Sequence, residues 1–367
     1  MKKILVDGYW NGNLGDDLFL KTLCERYPNQ DFYIFCSKDK QKFFLNIPNI
    51  HFIPYKTPVL LLKFLDKVNN KYNVMLPFSS KYYLYKKAKE SNVYIELGGS
   101  IFMMPHSGMD SEYIKRKKIS NLKKTDYYIL GSNFGPYYQY VQLENYKSIF
   151  QSTKDVVFRD KASYNLFKDV SHVRYAPDIV FNLKDTNKVK NLEYIVVSVI
   201  SFKNKMGSLE MEKKYIEYMI SQLERLLQKN KHILLMSFCK SQGDLDVAKE
   251  IKRKLLKNNS EYKDKVHLYS YENIDYSLKL IRESEAIIAT RYHAMILGWL
   301  YQKPMFVVSY SNKINNVILD IFPEQSSIDF YKDNSTIVKF NKIKSENLME
   351  VRKKATLHFK YLDSDYK

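Results

Sequence analysis

Cysteine is scarce: Cys24, Cys36 and Cys239 are the only three in 367 residues, and they lie far apart without metal-ligand spacing. That pattern argues against a disulfide scaffold and points to a reduced, cytoplasmic setting. No cluster of His, Cys, Asp and Glu is spaced to hold a metal, so none is expected. A run of 18 uncharged apolar residues is also missing, which rules out a membrane-spanning helix. The opening MKKILVDGYW is basic, but Asp7 and Gly8 interrupt it within a strand's length, so it lacks the apolar core of a signal peptide. Low-complexity segments and recognisable nucleic-acid motifs are absent, and nucleic acid is not an expected partner.

What the chain has in quantity is apolar and aromatic side chains, 45% and 15% of residues. They suffice for well-buried interiors and are unlike a disordered composition. The length suits two domains better than one. Short apolar strands are predicted at 2–7, 32–36, 93–97, 126–130 and 156–158, with helices between. The polar segment Asn182–Asn191 then reads as a linker. Beyond it, strands at 194–200, 232–238, 266–269, 286–289 and 305–309 alternate with helices at 209–229, 244–256 and 276–283. This alternation predicts an α/β fold of parallel, doubly wound sheets. The expected division is a Rossmann-like domain over 1–181, a second over 192–343, and a helix within 344–367 packing back toward the first.

The formal charge is +19. Residues 56–124 alone hold thirteen Lys and one Arg against five acids, an excess of nine. Within them Pro58–Tyr72, PVLLLKFLDKVNNKY, sets apolar side chains beside Lys63, Lys67 and Lys71, which suits a helix lying on an anionic lipid surface. A solvated basic face accounts for the same composition.

The most informative stretch is Glu285–Lys313, EAIIATRYHAMILGWLYQKPMFVVSYSNK. It reads as strand, helix and strand, a βαβ crossover. Thr290 is placed as the helix N-cap. Arg291 and His293 fall at the helix start, where backbone N–H groups and the helix dipole favour an anion. Lys313 follows the second strand and so reaches the same C-terminal sheet edge, where open α/β sheets bind ligands. Arg159 likewise follows a strand, with Asp160 beside it as a simple ion-pair partner. Near the start, NGNLGDD (11–17) opens a helix with Gly12 and Gly15 for tight turns and Asn13 for local bonding. It is no phosphate-cradling loop, because it lacks the Lys-Ser/Thr ending and Asp16 and Asp17 would repel phosphate; those acids suit a sugar hydroxyl, or simply cap the helix. Gly98, Gly99 and Ser100 end another strand, where small residues let a ligand approach the backbone.

Five segments, GYWNGNLGDD, ELGGS, FRDKAS, APDIVF and RYHAMILGWLYQKPMFVVSYSNK, resemble in order and spacing the polysaccharide pyruvyl transferases. The resemblance covers nearly the whole chain, with GGS for the usual GGG, Asp17 for a common Glu and Tyr292 for a frequent Leu or Phe. It implies two Rossmann-type domains facing across a cleft in a glycosyltransferase-B-like architecture, and transfer of pyruvate from phosphoenolpyruvate to sugar hydroxyls. On this reading His293, Arg159 and Asp16 are catalytic, and Arg291, Lys313, Arg159 and Tyr292 hold the donor. Asn13, Asp17, Gly98, Gly99 and Ser100 then face a sugar acceptor carried on a polyprenyl diphosphate. No metal or resident cofactor is implied, and the chain is expected to be cytoplasmic and peripheral to the membrane. The competing readings are a nucleotide-sugar glycosyltransferase of the same architecture and a non-catalytic module binding anionic lipid or nucleic acid.

Overall fold

A computed structural model describes residues 3–184, 192–203, 208–333 and 335–366. By contact the chain divides into two compact units, residues 1–10, 19–184 and 353–367 in one and residues 11–18 and 185–352 in the other. Most of the linker expected over Asn182–Asn191 falls in 185–191, outside the described residues.

The first unit carries a seven-stranded parallel sheet of β1 (Ile4–Asp7), β2 (Phe32–Phe35), β3 (Ile50–Ile53), β4 (Val93–Leu97), β5 (Asp126–Ser132), β6 (Asp155–Phe158) and β7 (Val173–Tyr175). Their spatial order is β3-β2-β1-β4-β5-β6-β7. The second unit has a six-stranded parallel sheet of β8 (Tyr194–Ser198), β9 (His232–Ser237), β10 (Val266–Ser270), β11 (Ala286–Ala289), β12 (Met305–Ser309) and β13 (Ser327–Asp329), ordered β10-β9-β8-β11-β12-β13. Both orders reverse direction once, between β1 and β4 and between β8 and β11. Such a reversal opens a crevice at the carboxyl ends of the strands.

Strands such as β4, VYIEL, and β12, MFVVS, are buried at every position, as parallel strands covered on both faces must be. The long helix Ser208–Gln228 buries Tyr215, Met219, Leu223 and Leu227 at every fourth position, one stripe of a 3.6-residue period. That stripe joins Val197, Leu235 and Ile288 in the second core. Each fully buried side chain of this kind stabilises the fold by about 1.5–3 kcal/mol. The first core is aromatic, with Phe102, Phe134, Phe150, Phe158 and Phe167 packed edge to face or stacked around Tyr146.

Two elements differ from the sequence reading. The single terminal helix expected in 344–367 is two, Ser345–Ala355 and Lys360–Tyr366, because a 3-10 turn at Thr356–Phe359 buries His358 and Phe359. This segment is fastened to the first unit: Asn182 Nδ2 donates to Ala355 O (3.0 Å), His358 Nε2 to Pro177 O (2.8 Å), and Tyr128 Oη to Asp365 (2.8 Å). Asn11–Leu18 groups with the second unit, not the N-terminal one. The reason is a backbone bond from Leu14 N to Phe238 O (3.1 Å) and an antiparallel bridge between Asn13 and Cys239. All three cysteines are free and buried.

Basic side chains are also internal. Arg116 is fully buried and reaches Glu96 through Nε (2.9 Å) and Nη2 (2.7 Å), and Asp110 through Nη1 (3.1 Å). Lys115 pairs with Asp7, Glu96 and Glu112, and Lys81 with Glu112. Burial pushes the Glu96 carboxyl up, yet Arg116 and Lys115 outweigh it and hold it below its usual range.

Candidate active site

β11 ends at the reversal of the second sheet, and the chain turns there through Thr290 and Arg291 into the helix Tyr292–Leu300. The turn is held from β8, since Ser198 Oγ accepts the N–H groups of Thr290 (3.0 Å) and Arg291 (3.2 Å). Thr290 does not cap the helix as expected; Arg291 stands at the N-cap position, and the buried Thr290 hydroxyl pairs with Tyr215 Oη (2.9 Å). Burial of that hydroxyl demands a partner inside the core, and Tyr215 supplies it.

Arg291 is anchored in a fork. Nε donates to Asp244 Oδ2 (2.9 Å), Nη2 to Asp244 Oδ1, and Nη1 to Gln242 (2.7 Å). Asp244 is 0% exposed and also accepts the Cys239 N–H (3.0 Å). Burial opposes the charge on Arg291, but the Asp244 carboxylate more than offsets it and raises its pKa. The guanidinium is thus aimed and part-neutralised at once. Lys313, in the first turn of the helix Asn312–Ile321, lies with Nζ 5.2 Å from the centre of the Tyr292 ring, and the His293 ring meets Tyr292 edge-on at 5.1 Å.

The NGNLGDD turn belongs to the same site. A Cβ on Gly15 would run into the His293 imidazole, so glycine is what lets the turn and the helix start approach. Asn13 Nδ2 donates to Asp16 (2.6 Å), and Asn13 Oδ1 accepts the Gly15 N–H (3.2 Å). Asp16 is half-buried. Asp17 is fully buried and accepts the Tyr271 hydroxyl at 2.8 Å. The carboxylate is thus enclosed within the fold and held by a phenol from a distant part of the chain. Burial, then Asp17, pushes the Tyr271 phenol well above its ordinary value.

Arg159 lies in the first unit, after β6, and is 2% exposed. Nη1 reaches Asp178 (2.9 Å) and Nη2 reaches Asn133 (3.0 Å), while the neighbouring Asp160 caps the helix Lys161–Leu166 by accepting the Ser163 N–H. Gly99 is small because this guanidinium occupies the space a Cβ would take, and a Cβ on Gly98 would meet Ile101. Both glycines make room for protein groups at this strand end. Ser100 is exposed and donates to Asn133 (3.2 Å).

The second unit thus gathers Arg291, Tyr292, His293, Lys313, Asn13 and Asp16, while Arg159, Gly98, Gly99 and Ser100 belong to the first. Sequence reasoning missed Asp244, Gln242, Ser198 and Asn133, and gave Asp178 no role. Asp244 opens a helix directly after Gly243 beyond β9, the same strand-end placement that singled out Arg291. Among the described residues no group of three or more His, Cys, Asp or Glu could hold a metal ion.

Solved structures define the class. Anabaena HepE in complex with UDP and glucose is similar over 98% of this chain and 95% of its own, at 10% identity and a TM-score of 0.54. The Methanocaldococcus jannaschii UDP-GlcNAc 2-epimerase in complex with UDP-GlcNAc and UDP matches 97% of this chain and 100% of its own (13% identity, TM-score 0.55). For S. aureus MnaA with UDP the coverage is 100% and 90% (11% identity, TM-score 0.55). The fold is therefore glycosyltransferase-B-like, built of two Rossmann-like units. No curated protein matches the chain in sequence. The polysaccharide pyruvyl transferase family model matches residues 13–312. The chain belongs to that family and is a transferase acting on polysaccharide.

Proposed function

We propose that the chain transfers pyruvate from phosphoenolpyruvate to a sugar of a cell-surface polysaccharide precursor, such as a capsule or exopolysaccharide unit, forming a ketal. The observation that carries this reading is the grouping of Arg291, His293 and Lys313 around one helix start. Phosphoenolpyruvate presents a carboxylate and a phosphate, so fixed cations at a helix N-terminus suit it. In the reaction, one sugar hydroxyl adds to C2 while a proton is delivered to C3. Phosphate leaves, and a second hydroxyl closes on C2 and loses its proton. His293 is assigned the proton delivery, Asp16 takes the hydroxyl proton, and Arg291 and Lys313 steady the departing phosphate. Tyr292 backs the donor through Lys313. Arg159 enters as a further essential cation on its motif. As written, the scheme uses no metal ion and no resident cofactor. The test is release of phosphate from phosphoenolpyruvate that depends on added lipid-linked glycan. Transfer from UDP-sugars with no such release would replace this reading by a glycosyltransferase.

The acceptor is proposed to be borne on a polyprenyl diphosphate at the inner face of the cytoplasmic membrane, which the first unit touches peripherally. Among the described residues no helix is long and apolar enough to cross a membrane. The helix Val59–Tyr72 has inverted polarity. Its polar residues bind the protein: Asp66 accepts from Ser80 (3.0 Å to N), Asn70 from Lys81 Nζ (2.8 Å), and buried Asn69 from Leu76 N (2.9 Å). Its apolar residues face out, Leu60 being 83% and Phe64 61% exposed, beside exposed Lys63, Lys67 and Lys71. An apolar ridge flanked by lysines matches an anionic bilayer. The buried ion pairs sharpen this. Lys81, Lys115 and Arg116 are internal and engage Glu96, Asp110 and Glu112, leaving eleven lysines of 56–124 against only Asp66 and Glu90.

A further inference from the structure

In the first unit, two loops leave the carboxyl ends of the neighbouring strands β4 and β5 and, with the start of the helix Tyr140–Gln151 that follows the second, carry an unusual surface. Tyr140 is 73%, Met103 56%, Tyr138 48% and Tyr137 40% exposed, and His106 is exposed beside them. The His106 and Tyr138 rings have their centroids 3.9 Å apart. Exposed aromatics usually ride on mobile loops, but these do not. Gln142 is fully buried and uses its whole amide to clamp the two loops together. Its Oε1 accepts the N–H groups of Tyr138 (2.9 Å) and Gln139 (3.1 Å), and its Nε2 donates to Pro105 O (2.8 Å) and Gly108 O (2.7 Å). Backbone bonds from Met104 N to Pro136 O (2.9 Å) and from Gly135 N to Phe102 O (2.7 Å) tie the loops again. The frame is rigid and the rings are presented outward.

Charge is the second observation. In a chain that is 27% charged, residues 101–109 and 131–143 contain no Asp, Glu, Lys or Arg. An anionic bilayer or a nucleic acid would call for cations here. A sugar ring asks for neither sign: one face is a sheet of C–H groups that covers an aromatic ring, and its hydroxyls reach the polar edges. Tyrosine and histidine supply both surfaces at little cost in conformational entropy, and the clamped loops lower that cost further. At the root of the same two loops, Asn133 accepts from Ser100, so the aromatic surface adjoins the strand ends.

We propose that Tyr137, Tyr138, Tyr140, His106 and Met103 form a platform for a neutral pyranose of the acceptor saccharide, fixing which sugar is selected. This rests on the reading of the chain as a transferase with a saccharide acceptor, and not on the identity of the donor.

Saturation-transfer NMR on the full chain, with methyl glucoside, methyl galactoside, cellobiose and lactose as probes, tests it. Saturation should pass to the C–H protons of at least one saccharide. Tyr138→Ala and the double variant Tyr137→Ala/Tyr138→Ala should weaken that binding about tenfold or more, whereas Tyr138→Phe should keep it. Phosphoenolpyruvate affinity, read by calorimetry on the same samples, should not move in any variant. Saturation from none of the four probes, or equal transfer in wild type and the double variant, overturns the platform while donor binding still stands or falls on its own. Loss of vesicle binding in the tyrosine variants without loss of saccharide binding overturns it too, in favour of a lipid contact.

Discussion

Replacing Arg291 by Ala separates two roles that the geometry combines. The change strands Asp244, a carboxylate with no exposed surface whose remaining partner is the Cys239 N–H at 3.0 Å. Breaking a buried pair in this way costs about 3–5 kcal/mol. For a unit of this size about 2–4 °C of melting temperature goes with each kcal/mol, so the variant should melt roughly 6–20 °C lower. Adding Asp244→Ala removes the stranded charge and should recover a large part of that loss. Donor affinity should behave differently. A charge-assisted bond contributes about 1.5–3 kcal/mol, so phosphoenolpyruvate should bind roughly ten- to a hundredfold more weakly to Arg291→Ala. The double variant should stay as weak, because the cation is still missing. Thermal melts and calorimetry on the wild type, both single variants and the double variant complete the cycle. If donor affinity is unchanged in Arg291→Ala, or returns with Asp244→Ala, then Arg291 merely pins the turn and the donor assignment is wrong.

His293→Gln should lower turnover by about a hundred- to ten-thousandfold, the usual worth of a positioned acid or base, while leaving donor affinity largely intact; unimpaired turnover removes His293 from the chemistry. Gly15→Ala should cost about 1–3 kcal/mol through overpacking and reduce turnover by displacing that imidazole, as melts and rates on one sample will tell. Burial, against an opposing pull from Asp178, lowers the pKa of His358 from its ordinary 6.5 to about 4. Folding therefore favours its neutral form: the contribution is complete above pH 6.5 and is lost as pH falls toward 4, about 3 kcal/mol in all. Urea titrations across that window should show the loss, and His358→Gln should flatten it; parallel pH profiles for the two proteins would count against the buried neutral imidazole. Cosedimentation with anionic vesicles should fall in high salt and in a variant with Lys63, Lys67, Lys71, Lys86 and Lys87 changed to Gln, each lysine near the leaflet contributing about 1 kcal/mol. Equal binding to neutral and anionic vesicles would leave the basic face as solvated surface.

The parts of the fold that could be read from the sequence are those where one interaction dominates. β4, β11 and β12 have the expected bounds because strands buried on both faces are unbroken apolar runs bounded by polar or turn residues. β3, with His51 in four residues, and β7 and β13, at three residues each, are edge strands too short to make such a run. The cationic cluster was legible because Arg291, His293 and Lys313 all follow strands of one sheet. Their supports were not. Asp244 lies 47 residues before Arg291, and Tyr271 lies 254 after Asp17, and no local pattern joins either pair. An acid at a helix start reads alike whether it caps the helix, faces a ligand or accepts a distant phenol. Arg159 shows the same limit: Asp178, which accepts from it, lies 19 residues further on, where no local pattern marks it.

The fastening of residues 353–367 to the first unit has a consequence for how the protein is made. Translation finishes the body of that unit at Lys184, but the segment that supplies His358 to Pro177 and Asp365 to Tyr128 emerges only after the whole second unit has been synthesised. At about 5–20 residues per second, the nascent first unit waits on the order of ten seconds or more with the seat of Phe359 and Leu362 uncovered. The second unit, by contrast, has Asn11–Leu18 ready from the start and can close around it as soon as Tyr271 and His293 leave the ribosome. The half made first is therefore the half completed last, and it is the one that should lean on chaperones during synthesis.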